Sequence, residues 1–146
     1  MEKSKISIDE INNAIKKIVE QIDVSGFKPE IIVSINRGGC IPGVYLSHYF
    51  KKPHNIIDVK SLKADSGNKF SLLINSIDNN KRILIIDDIN DSGETFNIVN
   101  KIFIKSNCEI RFAALINNIS SKIKCFDLSF CLFYFLLLIL AIIRIM

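Results

Sequence analysis

Two adjacent carboxylates, Asp87 and Asp88, follow a run of apolar and mostly β-branched residues at 83–86. Such a run predicts a buried strand of a parallel sheet, because both faces of these strands are covered. The strand would deliver the two acids to the edge of the sheet, where open α/β proteins bind their ligands. We therefore expect the chemistry of this protein at residues 87 and 88.

A turn of small and hydroxyl-bearing residues follows the acids. Residues 91–95 read Asp-Ser-Gly-Glu-Thr and lead into a stretch whose apolar residues have helical spacing. A helix that begins here presents backbone N–H groups without a partner in the helix, and such groups bind anions. The turn is expected to hold a phosphate group.

The segment from the apolar strand to Thr95 resembles the motif with which type I phosphoribosyltransferases bind phosphoribosyl pyrophosphate (PRPP). In that family, loop amides and hydroxyls hold the ribose 5-phosphate, while the acids approach the ribose hydroxyls and a magnesium ion. The resemblance implies that Asp88 is the Mg²⁺ ligand and that Asp91 is a general base near N7 of a purine. The residues it implies for ribose and phosphate binding are Asp87, Asp88, Asp91, Ser92, Gly93, Glu94 and Thr95.

A second candidate loop lies upstream, after the strand predicted at Glu30–Ile35. It contains Arg37, Gly38 and Gly39, and Pro42 follows where it suits the first turn of a helix. Glycines let the backbone approach a ligand closely, and a guanidinium matches phosphate oxygens. The loop resembles the pyrophosphate loop of the same family, above all of its xanthine-guanine branch. This implies that residues 37–39 bind pyrophosphate, and that a non-proline cis peptide bond lies near Arg37–Gly38.

The other elements alternate between helix and strand. Ser7 and Glu10 have the spacing of a capping box, and a helix with apolar residues at helical spacing follows and ends near Gly26. We expect an α/β fold, a doubly wound and mostly parallel sheet with helices on both faces, as the family resemblance over about residues 6–116 also implies. The further predicted elements are a helix at 44–50, a strand at 55–60, a helix at 96–104 and a strand at 110–116.

Composition limits the alternatives. The 146 residues are 49% apolar, enough for the core of one small domain, and the net charge of +4 comes without the interleaved aromatic residues of a nucleic-acid platform. We expect a small polyanion as partner and no nucleic acid. The histidines, His48 and His54, are interpreted as structural. The cysteines show no metal-ligand spacing and are expected to be buried, reduced thiols: Cys40, Cys108, Cys125 and Cys131.

The C-terminal end differs abruptly from the rest. Residues 1–124 are assigned to the phosphoribosyltransferase-like domain and 125–146 to a hydrophobic tail, because Leu128–Ile143 is almost uninterruptedly apolar. A helix of this length spans about 24 Å, which makes a membrane anchor borderline. A segment buried in a homo-oligomer and an end produced by a shifted reading frame near Lys124 are the other interpretations. The polar start lacks a secretory signal, so the protein is expected to be cytoplasmic, with membrane association if the tail is an anchor.

The function expected from these parts is Mg²⁺-dependent transfer of the phosphoribosyl group of PRPP to a purine base. In purine enzymes of the family, a Lys contacts the base. By position this Lys would fall near Asn117 or Asn118 in this chain, where the sequence has asparagine. The alternative is therefore a non-catalytic module that binds PRPP or a nucleotide. A small membrane protein is a third class. The polar segment 61–69 is either a loop that closes over substrate or an ordinary solvated turn.

Overall fold

A computed structural model describes residues 7–60, 80–104 and 106–118, together with residues 121, 123 and 125. Strands and helices alternate along these residues, as expected. The strands are β1 at Ile31–Ile35, β2 at His54–Ile57, β3 at Arg82–Asn90 and β4 at Glu109–Asn117. The helices are α1 at Ile8–Ser25, α2 at Cys40–Phe50 and α3 at Glu94–Phe103.

The strands form a parallel four-stranded sheet in the order β2-β1-β3-β4. The strand predicted to be buried, β3, lies inside this sheet with β1 and β4 as its neighbours, and residues 83–86 are fully buried. Their apolar run needs no alternation with polar residues, because both faces of the strand are covered. Register places Ser34 beside Ile86 and Asn90 beside Asn117. The ends of β3 and β4 thus lie side by side, and β1 ends next to the part of β3 that carries the acids.

Helices cover both faces of the sheet. On one face, Ile18 of α1 and Leu46 of α2 belong to a core cluster with Leu84 and Ile86. On the other face, Phe96, Val99 and Phe103 of α3 pack in a cluster with Ile83 and Ile85. This arrangement confirms the doubly wound α/β fold, since consecutive residues of β3 serve opposite layers.

The first helix follows its sequence signals. The Ser7 hydroxyl accepts a hydrogen bond from the Glu10 amide at 3.2 Å, and the Glu10 carboxylate accepts one from the Ser7 amide at 2.7 Å. The predicted capping box is therefore confirmed. The helix ends at Gly26, whose φ of 71° is a conformation that glycine adopts without strain.

Four expectations about boundaries and burial were wrong. β3 does not end at the acids but continues to Asn90, because β4 pairs with it in register as far as Asn117. α2 begins at Cys40 and not at residue 44, and β2 ends at Ile57 and not at residue 60. Of the cysteines, Cys125 is buried, whereas Cys40 and Cys108 are only half-buried.

Two parts of the sequence prediction fall outside the described residues. These are the polar segment at 61–69 and the apolar tail at Leu128–Ile143, with its Cys131. Among the residues that are described, no helix combines the length and the apolar character that a membrane crossing needs.

Close packing joins α2 to the sheet. Ser34 is fully buried, and its hydroxyl lies 2.7 Å from Nε2 of His54, in keeping with a structural role for this histidine. Burial also lowers the pKa of His54. Gly43 of α2 faces this pair: a Cβ at Gly43 would overlap the Ser34 hydroxyl and lie 2.8 Å from the histidine ring. The helix can approach the sheet here only because residue 43 has no side chain.

We predict that Gly43→Ala destabilises the protein. Helix propensity alone favours alanine by about 1 kcal/mol, but the added methyl group overpacks the contact with Ser34, and we expect a net loss of about 1–3 kcal/mol in the free energy of unfolding. Urea unfolding of Gly43→Ala, Ser34→Ala and the double variant measures this. The double variant should be more stable than the sum of the single losses predicts, because the clashing hydroxyl is gone. A stabilised Gly43→Ala protein would contradict the packing argument.

Candidate active site

The loop after β1 and the acids of β3 are in direct contact. A Cβ on Gly38 would overlap the carboxylate of Asp88, and one on Gly39 would overlap the carbonyl oxygen of Ile86 and lie 3.0 Å from Cα of Asp87. The glycines are therefore required by the approach of the two segments. Since β1 and β3 are neighbours, their register brings the Arg37–Gly39 loop against the acid pair.

The loop itself is a tight turn before α2. The Gly39 amide donates to the carbonyl of Ile35 at 3.0 Å, and the Cys40 amide donates to the carbonyl of Arg37 at 3.2 Å. A non-proline cis peptide bond is present at Asn36–Arg37, one bond before the position that the family resemblance implied. The Arg37 side chain is exposed, and no described carboxylate forms an ion pair with its guanidinium.

The two acids have different environments. Asp87 is 8% exposed, and Asp88 is half-buried beside Gly38. The Asp88 amide donates to Oδ1 of Asp87 at 2.9 Å, and the Ile89 amide donates to Oδ1 of Asp88 at 2.9 Å. Burial raises the pKa of Asp87 to about 7, and the neighbouring Asp88 carboxylate contributes to this rise. The pair therefore concentrates negative charge where it is poorly solvated, which favours a cationic partner.

The turn at 91–95 encloses a small cavity of about 90 Å³. Gly93 has a φ of 80°, and α3 starts directly after it. The Ser92 hydroxyl accepts a hydrogen bond from the Glu94 amide at 3.3 Å, so one amide of this turn already has a partner within the protein. The lining contains all the residues predicted to bind ribose and phosphate except Asp88: Asp87, Asp91, Ser92, Gly93, Glu94 and Thr95, with Ile89, Asn90 and Phe96.

A larger cavity of about 640 Å³ lies beside the Arg37–Gly39 loop. Its wall includes Arg37, Gly38 and Asp88, and Ile89 lines both this cavity and the smaller one. The structure thus brings the predicted phosphate and pyrophosphate loops to opposite sides of one strand end. The other lining residues come from α1, α2 and β4: Glu10, Ile11, Asn13, Ala14, Lys17, Ile41, Leu115 and Ile116.

Sequence reasoning missed the asparagines that tie β3 to β4. Asn90 is 4% exposed, and its side-chain amide donates to Oδ1 of Asn117 at 2.6 Å and to the carbonyl of Ile123 at 3.1 Å. Asn118 donates to Oδ1 of Asp91 at 2.9 Å through its side chain. The apolar runs of β3 and β4 were the signal that could have indicated this contact. If the two runs are aligned as neighbouring parallel strands, residues 90 and 117 fall side by side.

Residues 2–127 match the family model described as the phosphoribosyl transferase domain. The chain belongs to this phosphoribosyltransferase family. The resemblance found in its two loops is thereby confirmed. No curated protein is a significant match to the chain.

Several solved protein structures share the fold. A purine phosphoribosyltransferase from Pyrococcus horikoshii has 26% sequence identity and a TM-score of 0.68, over 86% of this chain and 84% of that chain. The xanthine-guanine-hypoxanthine phosphoribosyltransferase of Helicobacter pylori has 23% identity and a TM-score of 0.65, over 82% and 80% of the two chains. A Neisseria gonorrhoeae protein with bound ppGpp has 21% identity and a TM-score of 0.65, over 82% and 75%.

The burial of Asp87 generates a prediction about stability and pH. Its pKa is raised from 3.8 to about 7 in the folded protein, so the folded state holds a proton that the unfolded chain releases at lower pH. This group therefore stabilises the fold most below pH 4, and the contribution is lost as pH rises through 7.

Urea unfolding of the parent and of Asp87→Asn between pH 4 and pH 8 checks this effect of the Asp87 pKa. The asparagine has no such titration, so the variant should gain stability relative to the parent as pH rises. If the difference in the free energy of unfolding between the parent and Asp87→Asn stays constant over this pH range, Asp87 is solvated and the prediction is wrong.

Proposed function

We propose that this phosphoribosyltransferase transfers the 5-phosphoribosyl group of PRPP to a purine base and releases pyrophosphate. The observation that carries the proposal is the contact between the Arg37–Gly39 loop and the Asp87–Asp88 pair, directly beside the turn at 91–95. A ligand with a phosphate at one end and a pyrophosphate at the other fits two anion-binding turns on either side of paired acids. The 26% identity to a purine phosphoribosyltransferase over most of both chains supports a purine as acceptor.

In this proposal, the turn at 91–95 holds the 5-phosphate with the hydroxyls of Ser92 and Thr95 and the start of α3. Arg37 and the backbone of Gly38 and Gly39 receive the pyrophosphate, on which negative charge grows as its bond to C1 of the ribose breaks. Guanidinium is suited to this task because it offers several donors in a plane and stays charged. Fixing both ends of PRPP orients C1 toward the base.

We include Mg²⁺ in the proposal, because the acids fit it. Mg²⁺ is typically held by one or two carboxylates plus substrate phosphates, and Asp88, supported by Asp87, offers that donor set next to the pyrophosphate loop. The described residues contain no group of three or more His, Cys, Asp or Glu side chains that could hold a metal. When bound, the ion would neutralise charge on the leaving pyrophosphate.

The base end of the site is proposed to be the apolar part of the larger cavity. Ile41, Ile89 and Ile116 line it and are 61%, 50% and 38% exposed, so they offer apolar surface against which a purine ring could pack. Asp91 follows two residues after Ile89, which lines both cavities, and is itself part of the lining of the smaller one; it is the proposed acceptor of the proton from N7 of the purine.

A second candidate function is a PRPP- or nucleotide-binding module without transferase activity. The feature that favours it is the pair Asn117 and Asn118, which stands near the place where, by the family resemblance, purine enzymes carry a Lys that contacts the base. The two functions are separated by measuring PRPP binding by calorimetry and PRPP-dependent consumption of guanine, xanthine and hypoxanthine in the same buffer with Mg²⁺. Turnover of any of these bases supports the enzyme. Binding without turnover supports the module, and no PRPP binding refutes both.

We predict that Asp91→Asn lowers kcat by about 100-fold or more, the range typical for loss of a general base. The affinity for PRPP should change by less than about twofold, because the amide keeps the shape of the side chain. Steady-state kinetics and PRPP calorimetry measure the two effects. An equal loss of kcat and PRPP affinity would remove Asp91 from the role of base.

We predict that Arg37→Ala weakens the binding of PRPP and of pyrophosphate by about tenfold or more, as expected for lost charge-assisted hydrogen bonds. Binding should also become less sensitive to salt, because one cation that contacts the anion is gone. Arg111→Ala is the matched control, since Arg111 is an exposed arginine of β4 that pairs with Glu109 and does not line either cavity. Unchanged PRPP affinity in Arg37→Ala would count against the assignment of this loop.

A further inference from the structure

Asn118 lies beside Asp91 because of the sheet register. β3 and β4 pair in parallel as far as their last residues, Asn90 and Asn117. The residues that directly follow, Asp91 and Asn118, therefore also lie side by side, although 27 positions separate them in the chain. The Asn118 amide donates to the carbonyl of Asn90 at 2.8 Å, which fixes the backbone of residue 118. Its side chain then reaches Oδ1 of Asp91 at 2.9 Å.

The contact matters because Asp91 is exposed. A carboxylate on an exposed turn samples several rotamers, and ordering it costs conformational entropy at the moment of reaction. Within the described part of the chain, Asn118 supplies the hydrogen bond to the Asp91 side chain. It engages one carboxylate oxygen, Oδ1, and adds no net charge next to it. The second oxygen remains as the place where a proton can be received.

Asn118 is in turn supported by the buried residue before Asp91. The side-chain amide of Asn90 donates to Asn117 and to the carbonyl of Ile123, and so joins the end of β3 to the end of β4 and to the segment beyond it. Because both strand ends are fixed to each other, the distance between residues 91 and 118 is set by the sheet and not by a mobile loop. A buried amide with its donors satisfied keeps this arrangement rigid.

We infer that Asn118 is a positioning residue, which holds the Asp91 carboxylate in the orientation needed for proton transfer from the purine. This inference rests on the proposed function, because it assigns Asn118 a role through the proposed base. In this role Asn118 does not itself transfer a proton. The expected consequence is a loss of kcat with little change in the KM for PRPP, since the phosphate and pyrophosphate loops are not touched.

A double-mutant cycle tests the inference. Asn118→Ala should lower kcat by about tenfold in the parent and have no further effect in the Asp91→Asn background, because the side chain that it orients has lost its function. Asn118→Asp places a second carboxylate beside Asp91 and should move the acid limb of the kcat/KM profile to higher pH. Asn107→Ala, an exposed asparagine before β4, is the matched control and should leave kcat unchanged.

A second readout does not need turnover. The side-chain NH₂ signals of Asn118 in a ¹⁵N-labelled protein should shift as Asp91 is protonated at low pH, and this shift should be absent in Asp91→Asn. Unfolding curves verify that each variant folds. A parent without transferase activity overturns the proposed function, and with it the catalytic purpose of the pair. If the parent is active but Asn118→Ala leaves kcat unchanged, or lowers kcat equally in both backgrounds, only the positioning role is overturned. A side-chain NH₂ signal of Asn118 that does not change with pH overturns it as well.

Discussion

The site depends on the close approach of a glycine loop to a pair of carboxylates. Gly38 lies so close to Asp88, and Gly39 so close to the backbone of Ile86 and Asp87, that no side chain fits at either position. This approach follows from the pairing of β1 with β3, which places the first residues after β1 next to the acids. The remaining architecture preserves it: the helices bury both faces of β3, and β4 holds its far side.

The electrostatics of the site follow from the same contact. Burial and the adjacent carboxylate raise the pKa of Asp87, because two negative charges at the edge of a core are poorly solvated. Arg37, on the other side of the glycines, brings positive charge to the larger cavity. A ligand that carries both phosphate groups and a cation can compensate these charges together. This is the physical reason why the proposed ligand is a metal-bound sugar pyrophosphate and not a neutral molecule.

Much of the fold could be predicted from local patterns. The capping box at Ser7 and Glu10 and the left-handed Gly26 define the ends of α1, because both signals are local. The end of β3 could not be placed, since Asp87 and Asp88 are poor strand formers, and the strand continues through them because β4 pairs with Asp87 and again with Ile89 and Asn90. The early start of α2 was missed for a related reason: the glycines before it are also loop residues, and their packing against β3 decides where the helix begins.

The sequence by itself determined which residues could do chemistry. The order of apolar run, acids and small-residue turn, together with the Arg-Gly-Gly loop, identified the family and the candidate residues for phosphate and pyrophosphate, because these signals are contiguous in the chain. Only the tertiary structure decided how they meet. The close approach of Gly38 to Asp88 and the hydrogen bond from Asn118 to Asp91 join residues that are 27 or more positions apart, and the burial that raises the pKa of Asp87 also comes from the packed fold. Such contacts arise from strand order and register, which no local pattern of residues specifies.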